Sequence, residues 1–211
     1  MKITDKVYAL DSTRGNYAYI IYDDDVILID TGRPGQGKGI LKELNSMNIR
    51  PEDIKHILIT HHDVDHIGNL ALLEKVSDAR IWASKEDIPY IIGDKNRPGI
   101  KRMVSILMRT GKPGNISTYP QKQEIEDIKI IPTPGHTPGH VCLLYEDVLL
   151  AGDLLRNSKG QLKPLASFMN DDETALRKSI DKIDQFSFKW VCPAHGEPIK
   201  IDNNRKQILR K

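Results

Sequence analysis

Seven consecutive residues, Ile54–Thr60 (IKHILIT), have the apolar and β-branched character of a buried strand. The run stops abruptly at His61-His62-Asp63-Val64-Asp65-His66-Ile67-Gly68, where five of the six residues from 61 to 66 are His or Asp. A strand ending in such a block restricts the chain to few folds, because α/β proteins place functional groups just past strand ends. In an extended segment residues two apart point the same way, so His61 and Asp63 can reach one point in space. Where the chain turns toward a helix at Ile67, Asp65 and His66 are directed at a second point. Two metal positions roughly 3.5–4 Å apart suit that arrangement. A polar loop with helix-capping aspartates explains less, since a cap needs one Asp.

The rest of the chain alternates strands and helices. Lys6–Leu10 and Tyr17–Tyr22 read as strands, and Val26–Asp30 follows the acidic turn Asp23-Asp24-Asp25 as the second arm of a hairpin or meander. Ile40, Leu41, Leu44 and Met47 recur at helical spacing across residues 37–47. Further helices are expected over Ile67–Val76 and Lys85–Ile92, with a strand over Arg80–Ala83 between them. Strands resume at Ile128–Ile131, His140–Tyr145 and Val148–Ala151. A helix over Asp172–Ile183, capped by Asn170 or Asp171, leads to a last strand, Lys189–Cys192. With no linker-like break, residues 1–211 read as one α/β domain of two sheets with helices outside them. Residues 94–123 differ in kind, with three prolines, three glycines and one short amphipathic helix near Ile100–Arg109. They read as an inserted lid.

Composition narrows the partners. The chain has 211 residues, 39% hydrophobic and 28% charged, the balance of a water-soluble globular protein. No apolar run approaches the roughly 20 residues that span a bilayer, and the first residues show no apolar signal segment. With only Cys142 and Cys192 there is no disulfide framework, which suits a reducing cytoplasm and buried core thiols. A net charge of +2 gives no reason to expect nucleic acid. The expectation is a cytoplasmic protein acting on a small molecule, with neither membrane nor nucleic acid as partner and its oligomeric state open.

Three further segments place His or Asp at strand boundaries, with Gly or Pro shaping the backbone. They are Pro134-Gly135-His136-Thr137-Pro138-Gly139-His140, Ala151-Gly152-Asp153 and Pro193-Ala194-His195-Gly196. Together with the first block, and in this order, they resemble the metallo-β-lactamase superfamily in its glyoxalase II-like and lactonase-like hydrolase branch. That family's pattern is His-x-His-x-Asp-His, then a distant His, an Asp and a last His. The resemblance runs from Leu28-Ile29-Asp30-Thr31-Gly32 to His195-Gly196. It implies an αββα metallo-β-lactamase sandwich, two mixed β-sheets flanked by helices, with two divalent metal ions at one edge. Zinc is the expected metal, and iron or manganese the alternatives.

Carried over by position, the resemblance gives site one His61, Asp63 and His140. Site two takes Asp65, His66 and His195, and Asp153 bridges. Asp65 would also orient a metal-activated water for attack on an ester-like bond, a thioester or lactone. Asp30 matches the family carboxylate that holds ligand geometry rather than binding metal. His136 is read as a turn residue, His56 as structural within its strand, and His62 as pointing away from the ligands.

Asp63 departs from the pattern, which has a second histidine there. The extra carboxylate favours harder ions such as iron or manganese, although zinc accepts oxygen donors. His62 could take its place through a local slip of the backbone. Residues 94–115 carry Lys95, Arg97, Lys101, Arg102, Arg109 and Lys112 against the single acid Asp94. Either they form a basic lid that attracts an anionic substrate, or an apolar stripe of Ile100, Val104 and Leu107 docks while Lys101, Arg102 and Arg109 face water. Residues binding the substrate itself are not legible. The rival functions are an iron-dependent oxidoreductase handling oxygen, nitric oxide or a persulfide, and a catalytically silent metal-binding scaffold.

Overall fold

In the computed structural model, which describes residues 1–108 and 110–201, the chain divides into two compact units at Thr118/Tyr119. The first unit opens with a meander: β1 (Val7–Ala9) pairs antiparallel with β2 (Tyr19–Tyr22), and β2 with β3 (Val26–Ile29). The acidic turn expected between β2 and β3 places Tyr22 opposite Val26. After α1 (Gly37–Ser46), β4 (Ile54–Leu58) returns parallel to β3. Then α2 (Leu70–Val76) leads to β5 (Arg80–Ala83), parallel to β4. The parallel neighbours β3 and β4 are buried almost throughout, as parallel strands usually are. Helices α1 and α2 lay Ile40, Leu44, Leu70 and Leu73 on the apolar side chains of β2–β5.

The helix expected over 85–92 contracts to α3 (Ile88–Ile91), because the amides of Asp87 and Ile88 both bond the Ser84 carbonyl in a turn. The amphipathic helix of the basic segment is α4 (Gly99–Leu107), and β6 (Ser117–Thr118) closes the sheet edge beside β5. The expected lid is therefore apportioned: residues 94–118 belong to the first unit and Tyr119 begins the second.

In the second unit β7 (Glu124–Ile125), β8 (Ile128–Pro132), β9 (Val141–Tyr145) and β10 (Val148–Gly152) follow one another as antiparallel neighbours. A small hairpin of β11 (Arg156–Ser158) and β12 (Gln161–Lys163) comes next. Helix α5 (Glu173–Ile183) precedes β13 (Trp190–Pro193), which lies parallel to β10, and β14 (Ile199–Lys200) ends the sheet. Leu176 and Ile183 of α5 pack on Cys142, Leu149 and Val191. The α5 cap is Asp172, whose carboxylate accepts from the Thr174 and Ala175 amides, rather than Asn170 or Asp171. Asn170 is occupied elsewhere, as described below. Among the described residues no helix is long and apolar enough to cross a membrane.

Gly68 shows how tightly the first motif is anchored. Its amide bonds the Gly32 carbonyl, and a Cβ there would lie 2.3 Å from the Pro34 nitrogen and 2.4 Å from the Arg33 carbonyl carbon. Both are backbone atoms that cannot swing away. Gly68→Ala is expected to cost about 3 kcal/mol, read as a lower urea midpoint at unchanged slope.

The two cysteines are buried and reduced. Burial pushes the Cys142 thiol from an ordinary 9.0 up to about 12, and raises Cys192 for the same reason. At pH 8 the folded chain should resist thiol reagents, and both cysteines should react once urea unfolds it. Because the folded thiols ionise later than unfolded ones, this contribution to stability is complete below pH 9.0 and is lost as pH rises toward about 12.

Candidate metal centre

In the first unit the chemistry sits where β3 and β4 end side by side. Parallel neighbours finish at the same sheet edge, so Asp30 and the loop beginning at Thr60 are brought together. Asp30 adopts the left-handed conformation (φ 58°), which turns its carboxylate back across that loop. One oxygen accepts the Thr60 amide at 2.8 Å; the other accepts the Thr60 hydroxyl at 2.7 Å and His66 Nδ1 at 2.8 Å. A carboxylate only accepts, so His66 carries its proton on Nδ1 and its acceptor lone pair on Nε2. The loop is locked from the other side as well. Thr31 bonds the His66 carbonyl through its amide and its hydroxyl, and the Asn69 amide group reaches the Thr31 and Arg33 carbonyls.

The rings of His61 and His66 lie 3.9 Å apart at a tilt of 51°, and their donor atoms lie within 4.8 Å of one another, as do those of Asp65 and His66. His61 Nδ1 lies 3.1 Å from the Thr60 hydroxyl, and its Nε2 lies 3.7 Å from Asp63 Oδ2. His61 and His66 are fully buried, while Asp63 is nearly so. The structure thus gathers His61, Asp63, Asp65 and His66 within the first unit.

His62 is buried. Its ring stacks on Tyr90 at 4.3 Å, its amide bonds Asp87 Oδ2 at 2.9 Å, and its Nδ1 lies 3.1 Å from the same oxygen. Its carbonyl accepts both Nε and Nη2 of Arg97. Asp87, Tyr90 and Arg97 form a backing for the loop that the sequence reading missed. An Asp beside a short helix and an Arg in a charged run carry no signal of their own. Burial lowers the Arg97 guanidinium from its ordinary value, against the opposing pull of the Asp63, Asp87 and Asp65 carboxylates. His56 is structural within β4, accepting the Trp82 indole N–H at 3.1 Å.

Helix α4 is rotated from both sequence readings. Lys101 is its buried member, 8% exposed with Nζ 3.3 Å from Asp63 Oδ2, while Ile100, Met103, Val104, Ile106 and Leu107 face outward. The apolar stripe does not dock, and Lys101 does not face water. Pairing Lys101 with the nearly buried Asp63 carboxylate outweighs the apolar preference of that face. Arg109 lies outside the described residues.

In the second unit β10 and β13 end side by side, bringing up Asp153 and His195. The loop 134–139 between β8 and β9 is closed by the Thr133 amide on the His140 carbonyl. Gly135 (φ 137°) presses its backbone onto the start of α5, where a Cβ would meet the Leu176 nitrogen at 2.3 Å. That contact aims His136 inward. Asn170 Nδ2 donates to Glu173 at 2.7 Å, which fixes its amide so that Oδ1 accepts His136 Nδ1 at 3.0 Å. His136 Nε2 then presents a lone pair 3.5 Å from Asp153 Oδ2, and His195 Nε2 lies 3.3 Å from that oxygen.

His140 is placed differently from the expectation. Its Nε2 accepts the Asp153 amide at 3.1 Å and its Nδ1 donates to the Thr133 hydroxyl at 2.9 Å. Both ring nitrogens serve the protein, and its role is to hold Asp153. The structure brings His136 to the Asp153 carboxylate and His140 to the Asp153 amide. The missed signal was an ambiguity, since the segment offers two histidines four residues apart.

A family model for the metallo-beta-lactamase superfamily matches residues 11–195. The chain belongs to the metallo-beta-lactamase superfamily. Among its relatives is a hydroxyacylglutathione hydrolase of Buchnera aphidicola, 33% identical over 91% of this chain and 74% of that protein. Another is the probable metallo-hydrolase YybB of Bacillus subtilis, 29% identical over 83% of this chain and 78% of its own length. Of solved structures, the metallo-beta-lactamase SMB-1 superposes with a TM-score of 0.76 at 19% identity, covering 92% of this chain and 79% of that one. TTHA1623 in a di-iron-bound form gives 0.74 at 20% identity, covering 92% and 93%. These superpositions establish the mixed α/β fold with two large sheets and flanking helices. Membership makes the chain a metallo-hydrolase by class, with divalent metal as the group its His and Asp residues suit.

Proposed function

We propose that the chain is a metal-dependent hydrolase of small ester-like substrates, with thioesters first among them. The observation that carries this reading is the convergence of acceptors on Asp153. His136 Nε2 and a carboxylate oxygen face each other at 3.5 Å, an arrangement favourable only across a proton or a cation. The donor chemistry fits a divalent ion, mixing borderline imidazole nitrogen with hard carboxylate oxygen. In the first unit the candidate ligands are His61, Asp63, Asp65 and His66, and in the second they are His136, Asp153 and His195. Membership of the superfamily suggests two ions, and zinc is the first candidate, with iron or manganese accepted by carboxylate oxygens. The naming of a relative as a hydroxyacylglutathione hydrolase supports a thioester.

Bound divalent ions supply Lewis acidity and lower the pKa of a coordinated water from 15.7 to about 7. The protein's own part is to hold its donors still and to handle the proton. Asp30 keeps His66 in one tautomer, Asn170 does so for His136, and His140 fixes the backbone of Asp153. Asp65, half-buried beside His66, is placed to orient the attacking water and return a proton to the leaving group. The thiols of Cys142 and Cys192 are buried in the core and take no part. We place the reaction in the cytoplasm, on a small-molecule substrate with no nucleic-acid or membrane partner.

The test is metal analysis of the full chain purified without added metal, followed by turnover of a thioester and lactone panel. The expected result is metal-dependent thioester cleavage, lost on chelation and restored by zinc. A chain that binds metal but cleaves neither class would favour the scaffold reading.

A further inference from the structure

Asp63 adds one negative charge where the superfamily pattern has a neutral imidazole, and a buried cation stands against it. Lys101 Nζ lies 3.3 Å from Asp63 Oδ2, with side-chain exposures of 9% and 12%. The helix that supplies Lys101 leaves Leu107 at 86% exposure, so burying the lysine governs how α4 is turned. Arg97, four residues earlier, seats the same segment on the His62 carbonyl. Two contacts from one segment therefore grip adjacent residues of the metal loop.

We propose that Lys101 is a positioning residue for the metal loop. Its ammonium cancels the Asp63 charge and holds one carboxylate oxygen, so the Asp63–Lys101 pair acts as a neutral donor in place of the missing histidine. The inference rests on the metal-dependent reading above. Its consequence is selectivity. A full carboxylate charge favours hard ions, whereas a neutralised one leaves the set closer to an all-imidazole site. The preference for iron or manganese expected from Asp63 alone is accordingly muted while Lys101 is present.

The experiment measures Zn²⁺ and Mn²⁺ affinities of the full chain by chelator competition. The proteins are wild type, Lys101→Met, Lys101→Arg, Asp63→His and the double variant Asp63→His/Lys101→Met. Lys101→Met should raise the Mn²⁺:Zn²⁺ affinity ratio about tenfold, and Lys101→Arg should leave it near wild type. In the Asp63→His background the lysine has no charge to cancel, so Lys101→Met should instead tighten Zn²⁺ binding. A lysine that merely ties down α4 would lower both affinities equally, in both backgrounds, and leave the ratio unchanged. That result, or Lys101→Arg behaving like Lys101→Met, overturns the proposal while the metal-dependent reading stands. Wild type binding neither ion overturns both. Because the ratio is taken within one protein, partial unfolding of a variant cancels, and Lys101→Gln, which also removes the charge, supplies the same reading if Lys101→Met does not fold.

Discussion

His136→Ala is expected to weaken metal binding by more than about 100-fold, and His140→Ala by about 10–100-fold, the range found when residues supporting a ligand are lost. The order follows from where each ring nitrogen goes. His136 sets Nδ1 against Asn170 and directs Nε2 at the Asp153 carboxylate. His140 spends both, on the Thr133 hydroxyl and the Asp153 amide. Its loss should loosen Asp153 without removing a donor. Asn170→Leu provides an internal check, because it strips the bond that sets the His136 tautomer and should mimic a mild form of His136→Ala. Chelator competition on the three variants decides it. A His140→Ala chain that loses metal while His136→Ala retains it would return His140 to the ligand set.

The same pair shows what a sequence can convey about such a site. The spacing of Pro134-Gly135-His136-Thr137-Pro138-Gly139-His140 places an imidazole near a strand end, and either histidine satisfies it. The choice is made by Gly135 packing on α5 and by Asn170, through contacts between residues 34 and more positions apart. No local pattern contains that information. By contrast, Asp30 and the block from His61 to His66 stand out in the sequence because each comes after an apolar strand run, and parallel neighbours must end together. The strands of β2–β5 and β8–β10 were legible for the same reason, their burial demanding continuous apolar runs. The two-residue strands β6, β7 and β14, and the polar hairpin β11–β12, lack enough apolar residues to register. Helix α4 illustrates the sharpest miss. Its periodicity correctly marked a helix, but of the two readings left open, the one that docks the apolar face is overturned by the exposure of that face. One buried ion pair turned it over.

Asp63→Ala should reverse a common expectation for metal-site residues. In a metal-free chain, removing one carboxylate from a crowd of acids ordinarily relieves repulsion and stabilises the fold. Here Asp63 lies near Asp65 and Asp87, whose charges all act on Arg97, so some relief is available. Against it stands Lys101, 8% exposed, whose ammonium would lose the carboxylate 3.3 Å away. Breaking a buried pair by deleting one partner costs about 3–5 kcal/mol, because the survivor stays buried without that countercharge. With slight solvent access at both ends, the lower figure applies. The metal-free variant should therefore lose about 3 kcal/mol, or roughly 6–12 °C in melting temperature for a chain this size. Lys101→Met added to Asp63→Ala should recover most of that loss, since replacing both charges with packed apolar atoms is close to neutral. Urea unfolding of chelator-treated protein measures all three. A more stable Asp63→Ala chain, or a double variant no better than the single one, would show that repulsion among the acids outweighs the ion pair, and that Lys101 is not what holds Asp63 in place.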